Sequence, residues 1–137
     1  MYVDASAIVA IIVAEQGYGR LLESLDAAEG VRITAPIAVF EAAAGIARIR
    51  DCPLADARAL VQDFLREADV EIVPISERHG ELAVDALARF GKGRHPAALN
   101  LGDCFGYAVA KAAGAPILFT GNDFSRTDLA SASVARP

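Results

Sequence analysis

The chain has 137 residues, which is enough for one compact domain of ordinary size and too few for two. Hydrophobic residues make up 54% of it and charged residues 23%, a balance that excludes a disordered or fibrous protein. Thirteen basic residues against eighteen acidic ones leave a net charge of −5, which argues against binding to nucleic acid by bulk charge but not through a local basic patch.

The predicted elements alternate between short apolar strands and longer helices. In chain order, the strands cover residues 1–3, 31–34, 70–73 and 117–120, with a further short strand near Val134. The helices run from a Ser6 cap towards Ala14, from Tyr18 to about Ala28, from Pro36 to about Arg50, from Pro53 onward, from a Ser76 cap through Phe90, and from an Asn100 cap through Ala113. This alternation predicts an α/β fold, a three-layer α/β/α sandwich with a mainly parallel central sheet, in a single domain over residues 1–137.

The N-terminal region and the cysteines bear on the compartment. The apolar run from Ala5 to Ala14 is too short to cross a bilayer, which takes about 20 residues. No basic residue precedes Arg20, so the start does not resemble a secretory signal. Cys52 and Cys104 lack CxxC spacing and predict small reduced thiols. We therefore expect a soluble, cytoplasmic protein without a membrane partner.

Four acidic residues follow or precede the predicted strands at one edge of the sheet. Asp4 ends the first strand, Glu41 follows the second within a helix, Asp103 lies in the first turn of the sixth helix, and Asp123 follows the strand at 117–120. Because the carboxyl ends of parallel strands meet at one edge, we expect these carboxylates to converge there.

Each acid taken alone also has a structural explanation. Asp4 fits a helix N-cap, Asp103 has the spacing of a capping box with Asn100, and Asp123 fits a turn. Glu41 is harder to explain, because it lies in an almost wholly apolar helix where a charge has no evident partner. Converging carboxylates without a basic partner cannot all stay ionised unaided, and a hard divalent cation such as Mg²⁺ would supply the missing charge. One or two ions would satisfy this requirement.

The ordered motifs resemble the PIN-domain ribonucleases, and specifically the VapC toxins of bacterial toxin–antitoxin pairs. The resemblance rests on residues 2–7 (Tyr-Val-Asp-Ala-Ser-Ala), on Glu41 in its small-residue helix, on residues 99–105 (Leu-Asn-Leu-Gly-Asp-Cys-Phe) and on residues 118–128, which begin Leu-Phe-Thr-Gly-Asn-Asp. It covers essentially the whole chain. Each motif is weak by itself, whereas the ordered set is specific.

The resemblance implies a Mg²⁺-dependent (or Mn²⁺-dependent) endoribonuclease in which a metal-activated water hydrolyses RNA, with tRNA or rRNA as substrate. In this pattern Asp4 and Asp103 hold the metal, and Glu41 and Asp123 complete the catalytic acids. Ser6, Thr120 and Asn122 would orient ligands or water. Many relatives place the last acid two residues after the threonine, where this chain has Asn122, so Asn122 and Asp128 remain alternatives to Asp123 as the fourth acid.

Basic residues near the predicted site are candidates for binding the substrate. Arg89, Lys92, Arg94 and His95 lie within seven residues and could contact phosphate, or could form an ordinary solvated loop. Arg48 follows Glu41 by seven residues on the same helical stripe and is equally well explained as an exposed structural arginine.

The resemblance also implies a homodimer and a cognate VapB antitoxin. Apolar helix surface for such contacts is predicted at Leu21, Leu22, Leu25, Phe64 and Leu65, although core packing explains most of these residues equally well.

Two other functions fit parts of the pattern. A haloacid-dehalogenase-like phosphatase also begins with an aspartate after a strand, but it needs a second acid where this chain has Ser6. A catalytically silent PIN-like module that binds an antitoxin or RNA is the other alternative. Retention of Asp4, Glu41 and Asp103 speaks against it, because a silent site does not need uncompensated acids.

Overall fold

The structure is a computed structural model and describes residues 1–132. Its strands are β1 (Tyr2–Val3), β2 (Arg32–Thr34), β3 (Val70–Ile72) and β4 (Ile117–Leu118), and they form a parallel sheet in the order β3–β2–β1–β4. The helices are α1 (Ala5–Ile12), α2 (Tyr18–Asp26), α3 (Pro36–Arg50), α4 (Leu54–Glu67), α5 (Glu77–Phe90) and α6 (Leu101–Ala113), followed by a 3₁₀ turn at Phe124–Arg126.

Alternate side chains of the central strands enter two separate cores. Tyr2 and Ile117 pair in register and pack with residues of α5 and α6, whereas Val3 and Leu118 pair in register and pack with residues of α1, α3 and α4. Successive side chains of a strand point to opposite faces, so helices cover both faces of the sheet. The predicted α/β/α sandwich with a parallel sheet is confirmed.

The strand order reverses at β1, which lies between β2 and β4. In parallel sheets such a reversal opens a crevice beyond the carboxyl ends of the strands. The first residue after β1 is Asp4, whose backbone N–H donates to the Leu118 carbonyl at 3.0 Å. The fold therefore places Asp4 at the crevice.

The element boundaries differ from the prediction in two respects, and one predicted strand is not tested. The strands are one or two residues shorter than predicted, because residues at one end of each apolar run lie outside the ladder. Ser6 does not cap α1; Asp4 does, since its side chain accepts from the Ser6 N–H. The strand predicted near Val134 lies outside the described residues, although Ser131 forms an isolated parallel bridge with Ile117.

Within residues 1–132, no helix has the combination of length and apolar character needed to cross a membrane.

Candidate active site

Asp4 is buried at the end of β1, with 8% of the residue exposed. Its Oδ2 accepts hydrogen bonds from the Ser6 N–H at 3.0 Å and from the Ser6 hydroxyl at 2.6 Å. Burial raises the pKa of the Asp4 carboxyl above its usual range; the Ser6 hydrogen bonds oppose this rise and the charge of Asp123 adds to it. Asp4 is thus both the cap of α1 and a carboxyl whose ionisation is made unfavourable by burial.

Ser6 connects two loops of the site that are far apart in sequence. While its hydroxyl donates to Asp4, its Oγ accepts from the backbone N–H of Thr120 at 3.1 Å. The loop after β4 is thereby tied to the loop after β1. Ser6 and Thr120 were predicted to orient groups of the site, and the structure places both beside Asp4.

Asp103 lies in the first turn of α6 and takes part in a reciprocal cap with Asn100. The Asn100 N–H donates to Asp103 Oδ2 at 3.0 Å, and the Asp103 N–H donates to Asn100 Oδ1 at 2.9 Å. Burial raises the pKa of Asp103 to about 6, with further contributions from Asp123 and Asp4, while the Asn100 N–H opposes the shift. The cap uses one carboxylate oxygen and leaves the other available to a ligand.

Glu41 extends from α3 towards the first turn of α6, where its carboxylate lies against Gly102. Burial raises the pKa of Glu41 to about 7, and the charges of Asp4 and Asp103 add to this effect. No ion pair joins Glu41, Asp4 or Asp103 to a basic side chain within residues 1–132. Burial and neighbouring negative charge thus raise the pKa values of all three carboxyls, and the Ser6 and Asn100 hydrogen bonds offset only part of the rise at Asp4 and Asp103.

A cleft of about 340 Å³ joins these side chains. Its walls include all four predicted catalytic acids, both predicted hydroxyl residues and one predicted basic residue. These residues are Asp4, Glu41, Asp103, Asp123, Ser6, Thr120 and Arg48. Glu15 and Ile49 form part of the same wall. Acids separated by up to 119 positions therefore share one cavity.

The three candidates for the fourth acid lie in different surroundings. Asp123 lines the cleft, whereas Asn122 and Asp128 do not. Asp128 accepts from the Lys111 ammonium at 2.8 Å and from the Tyr107 hydroxyl at 2.7 Å. The Lys111 hydrogen bond is the main reason that the pKa of Asp128 is lowered to about 2. Asp128 is therefore engaged in a separate polar cluster.

The predicted basic loop does not line the cleft. Arg89 contacts the Tyr107 hydroxyl at 3.3 Å and Asp128 at 3.6 Å, and its guanidinium lies over the Phe90 ring. The His95 Nδ1 accepts from the Ala97 N–H at 3.0 Å. Lys92 and Arg94 are exposed. Arg89 is thus committed to a structural contact, and Arg48 is the predicted basic residue that the fold brings to the acids.

Two of the five apolar side chains predicted for partner contacts are packed inside the molecule, and three are partly exposed. Leu25 and Leu65 belong to the core, and Leu21, Leu22 and Phe64 are half-buried. Core packing, the alternative explanation of these residues, is confirmed for Leu25 and Leu65, whose side chains belong to the core on the α1, α3 and α4 side of the sheet.

Two residues near the site were missed by the sequence analysis. Gly102 provides the space for the Glu41 carboxylate. Tyr2 is fully buried, and its hydroxyl makes no hydrogen bond within residues 1–132 that meets ordinary distance and angle limits, although Thr34 lies beside it. The only available signals were a glycine at a helix start in an alanine-rich chain and a tyrosine in a buried strand.

The side chains of the cleft have the chemistry to bind a hard divalent cation, but they do not form a preformed set of direct ligands. Apart from the Arg48 guanidinium, every polar side chain of the cleft wall carries oxygen, which Mg²⁺ and Mn²⁺ prefer as a ligand. Within residues 1–132, however, no group of three or more acidic, histidine or cysteine side chains is arranged to hold an ion directly. Mg²⁺ commonly binds one or two carboxylates and keeps several waters, so the residues fit that mode of binding.

Comparison with known proteins identifies the family. The PIN domain model matches residues 1–129. A VapC ribonuclease of Rhizobium meliloti is 42% identical over 93% of this chain and 98% of the relative, and ribonuclease VapC42 of Mycobacterium tuberculosis is 38% identical over 94% and 96%. The chain therefore belongs to the PIN-domain family, among its VapC ribonucleases. The phosphatase alternative is set aside.

Solved structures show the same fold at lower sequence similarity. VapC20 of Mycobacterium tuberculosis, a Sarcin-Ricin loop cleaving toxin, superposes with a TM-score of 0.77 at 20% identity, covering 99% of this chain and 98% of that one. A toxin–antitoxin complex from Klebsiella pneumoniae gives a TM-score of 0.66 at 16% identity, covering 93% and 92%.

Proposed function

We propose that the chain is a Mg²⁺-dependent endoribonuclease, the toxin of a VapBC-type pair, and that it cleaves RNA with the acids of the cleft. The observation that carries this proposal is the crowding of carboxylates. The pKa values of Asp4, Glu41 and Asp103 are all raised, and no ion pair within residues 1–132 relieves them. A fold that keeps such a cluster gains from a cation that neutralises it.

Asp4 and Asp103 are the residues that would hold the cation. When bound, the cation supplies positive charge and lowers the pKa of a coordinated water so that it can attack a phosphodiester. Ser6 fixes the orientation of the Asp4 carboxylate through its two hydrogen bonds. Asn100 fixes Asp103 in the same way, through the helix cap. Glu41 and Asp123 add negative charge that strengthens cation binding.

Arg48 is the best-placed group for the substrate backbone. It lies on α3, and it is an exposed residue of the cleft wall. A guanidinium there would contact an RNA phosphate and orient the strand beside the carboxylates. Lys92 and Arg94 lie outside the cleft wall, so any phosphate contact they make would be further along the RNA.

Substitution of either proposed cation ligand tests the site. Asp4→Asn and Asp103→Asn retain hydrogen-bond acceptors for their caps, so the fold should persist in circular dichroism while cleavage falls by about a hundredfold or more. Asp26→Asn, at an exposed position in α2, is the matched control and should keep wild-type activity. Full activity in either cleft variant would contradict the assignment.

The products of cleavage test the mechanism separately. A metal-activated water leaves 5′-phosphate and 3′-hydroxyl ends, and a chelator should stop the reaction. A 2′,3′-cyclic phosphate would instead mean that the RNA 2′-hydroxyl is the nucleophile. Sequencing of new 5′ ends after incubation with tRNA or with ribosomes would identify which of the two RNA classes is cut.

Family membership and exposed apolar side chains support protein partners for this chain, namely a second copy of itself and a VapB-type antitoxin. Phe40 is 73% exposed and Leu54 is 63% exposed, and both line an apolar groove between α3 and α4. Exposed apolar patches of this kind commonly mark protein interfaces. Light scattering on the purified chain tests the homodimer, and co-expression with the neighbouring antitoxin tests inhibition of cleavage.

A further inference from the structure

Gly102 is the second residue of α6 and faces the Glu41 carboxylate directly. A β-carbon built on Gly102 would lie 2.5 Å from Cδ and 2.6 Å from Oε2 of Glu41, and it would overlap Oε1. Non-bonded carbon and oxygen atoms do not approach so closely, since ordinary contacts begin at about 3.5 Å. The carboxylate therefore occupies the space that any larger residue at position 102 would need for its own side chain.

Little else holds Glu41 in this place. Within residues 1–132 its carboxylate makes no hydrogen bond or ion pair. Repulsion from Asp4 and Asp103 favours movement of the carboxylate away from the cleft, and the glutamate side chain is flexible enough to move. Contact with the bare backbone at the start of α6 is the arrangement that keeps it near the other acids, and the positive end of the helix favours it there.

We propose that Gly102 is a positioning residue for RNA cleavage, because its missing side chain lets the Glu41 carboxylate approach Asp4, which follows β1, and Asp103 in α6. The inference rests on the proposed role of the acidic cleft and adds to it a residue with no chemistry of its own. A methyl group at position 102 displaces Glu41 at little cost to the fold, because the displaced atoms are the end of a flexible side chain rather than backbone.

Gly106, one turn further along α6, also faces the site but makes a different kind of contact. A β-carbon there would lie 3.3 Å from the Tyr2 ring and hydroxyl and 3.5 Å from Asp4 Oδ1. Such contacts are tight rather than overlapping, and they press on a buried strand residue. Substitution of Gly106 would mix effects on the core with effects on the site, so the test uses Gly102.

Gly19 provides a matched control. It is the second residue of α2, as Gly102 is of α6, and a β-carbon built on it would meet no atom within 4 Å. Gly19→Ala and Gly102→Ala therefore make the same change at the same helical position, and both should leave the midpoint of urea unfolding unchanged or raise it slightly. The two variants differ only in whether a carboxylate is displaced.

The experiment compares RNA cleavage and Mn²⁺ binding in the full chain. We expect Gly102→Ala to reduce the cleavage rate by about tenfold or more and to weaken Mn²⁺ binding in calorimetry, while Gly19→Ala stays within about twofold of wild type in both. In a Glu41→Gln background, Gly102→Ala should cause no further loss, because the group on which it acts has already been removed.

Each outcome separates this inference from the proposed function. If Glu41→Gln loses cleavage while Gly102→Ala keeps both cleavage and Mn²⁺ affinity, the positioning role is wrong and the acidic site stands. If Glu41→Gln keeps full activity, the proposed role of the glutamate fails. Should Gly102→Ala not fold, Glu41→Asp withdraws the carboxylate from Gly102 without touching α6, and full activity in that variant would overturn the inference.

Discussion

Replacing Glu41 with glutamine should raise the free energy of unfolding at alkaline pH in the absence of metal. The same substitution should abolish RNA cleavage. Burial is the main cost of the Glu41 charge and repulsion from Asp4 and Asp103 adds to it, so the pKa of Glu41 rises from 4.5 to about 7. Glutamine has nearly the same shape and carries no charge. The substitution therefore removes an electrostatic penalty from the folded state at those pH values where the carboxyl is ionised.

The sign and the size of the effect follow from proton linkage. Below about pH 4.5 the carboxyl is protonated in both the folded and the unfolded state, so the folded state carries no penalty. Between the two pKa values the unfolded state ionises first, and the folded state loses stability as the pH rises. Above about pH 7 the loss is complete. A shift from 4.5 to about 7 corresponds to at most about 3 kcal/mol, and partial exposure to solvent reduces our expectation to about 1–2 kcal/mol.

Urea unfolding with a chelator present, at about pH 4 and about pH 8, measures this difference. Glu41→Gln should match wild type at the acidic pH and exceed it by about 1–2 kcal/mol at the alkaline pH. Glu15→Gln is the control, because Glu15 is exposed on the wall of the same cleft, and it should show a much smaller pH-dependent change. Equal unfolding free energies for wild type and Glu41→Gln at both pH values would refute the crowding on which the proposed site depends.

Four further substitutions test other parts of the structure. Asp128→Asn should lower the free energy of unfolding in urea by about 1 kcal/mol near neutral pH, and it should keep cleavage. Asp123→Asn should reduce cleavage with little change in stability. The opposite pattern would make Asp128 the fourth acid. Ser6→Ala removes the acceptor for the Thr120 N–H and a donor to the buried aspartate, so we expect a loss of about 1–3 kcal/mol by thermal unfolding and reduced cleavage. Tyr2→Phe deletes a buried hydroxyl that has no hydrogen-bond partner among residues 1–132, and it should leave stability equal or slightly higher. A loss above about 1 kcal/mol would mean that the hydroxyl is hydrogen-bonded in solution.

The boundaries of α3 and α6 could be predicted because local chemistry sets them. Pro36 occupies the first turn of α3, and the reciprocal bonds of Asn100 and Asp103 begin α6, while Gly114 ends it in a left-handed conformation. These signals act over three or four residues and need no knowledge of the rest of the fold. The alternation of strands and helices was equally readable, and it led to the correct sandwich.

Ser6 and Asp128 show where local patterns were insufficient. Ser6 fits a helix cap, yet the preceding aspartate takes that position and leaves the serine hydroxyl to bond the loop after β4. Asp128 resembles a spare acid, yet Lys111 and Tyr107 hold it outside the cleft. Both outcomes depend on partners from 17 to 114 positions away in the sequence, and only the packed chain determines those distances.

The sequence by itself determined which residues are acidic, which helices and strands carry them, and that a parallel sheet would turn them towards one edge. Tertiary structure alone decided which carboxylates share the cleft and how closely they approach. The place of the Glu41 carboxylate depends on an empty volume above Gly102, formed where α3 meets the start of α6. Periodicity and capping signals describe one element at a time, whereas such a volume exists only between two elements that have already packed together.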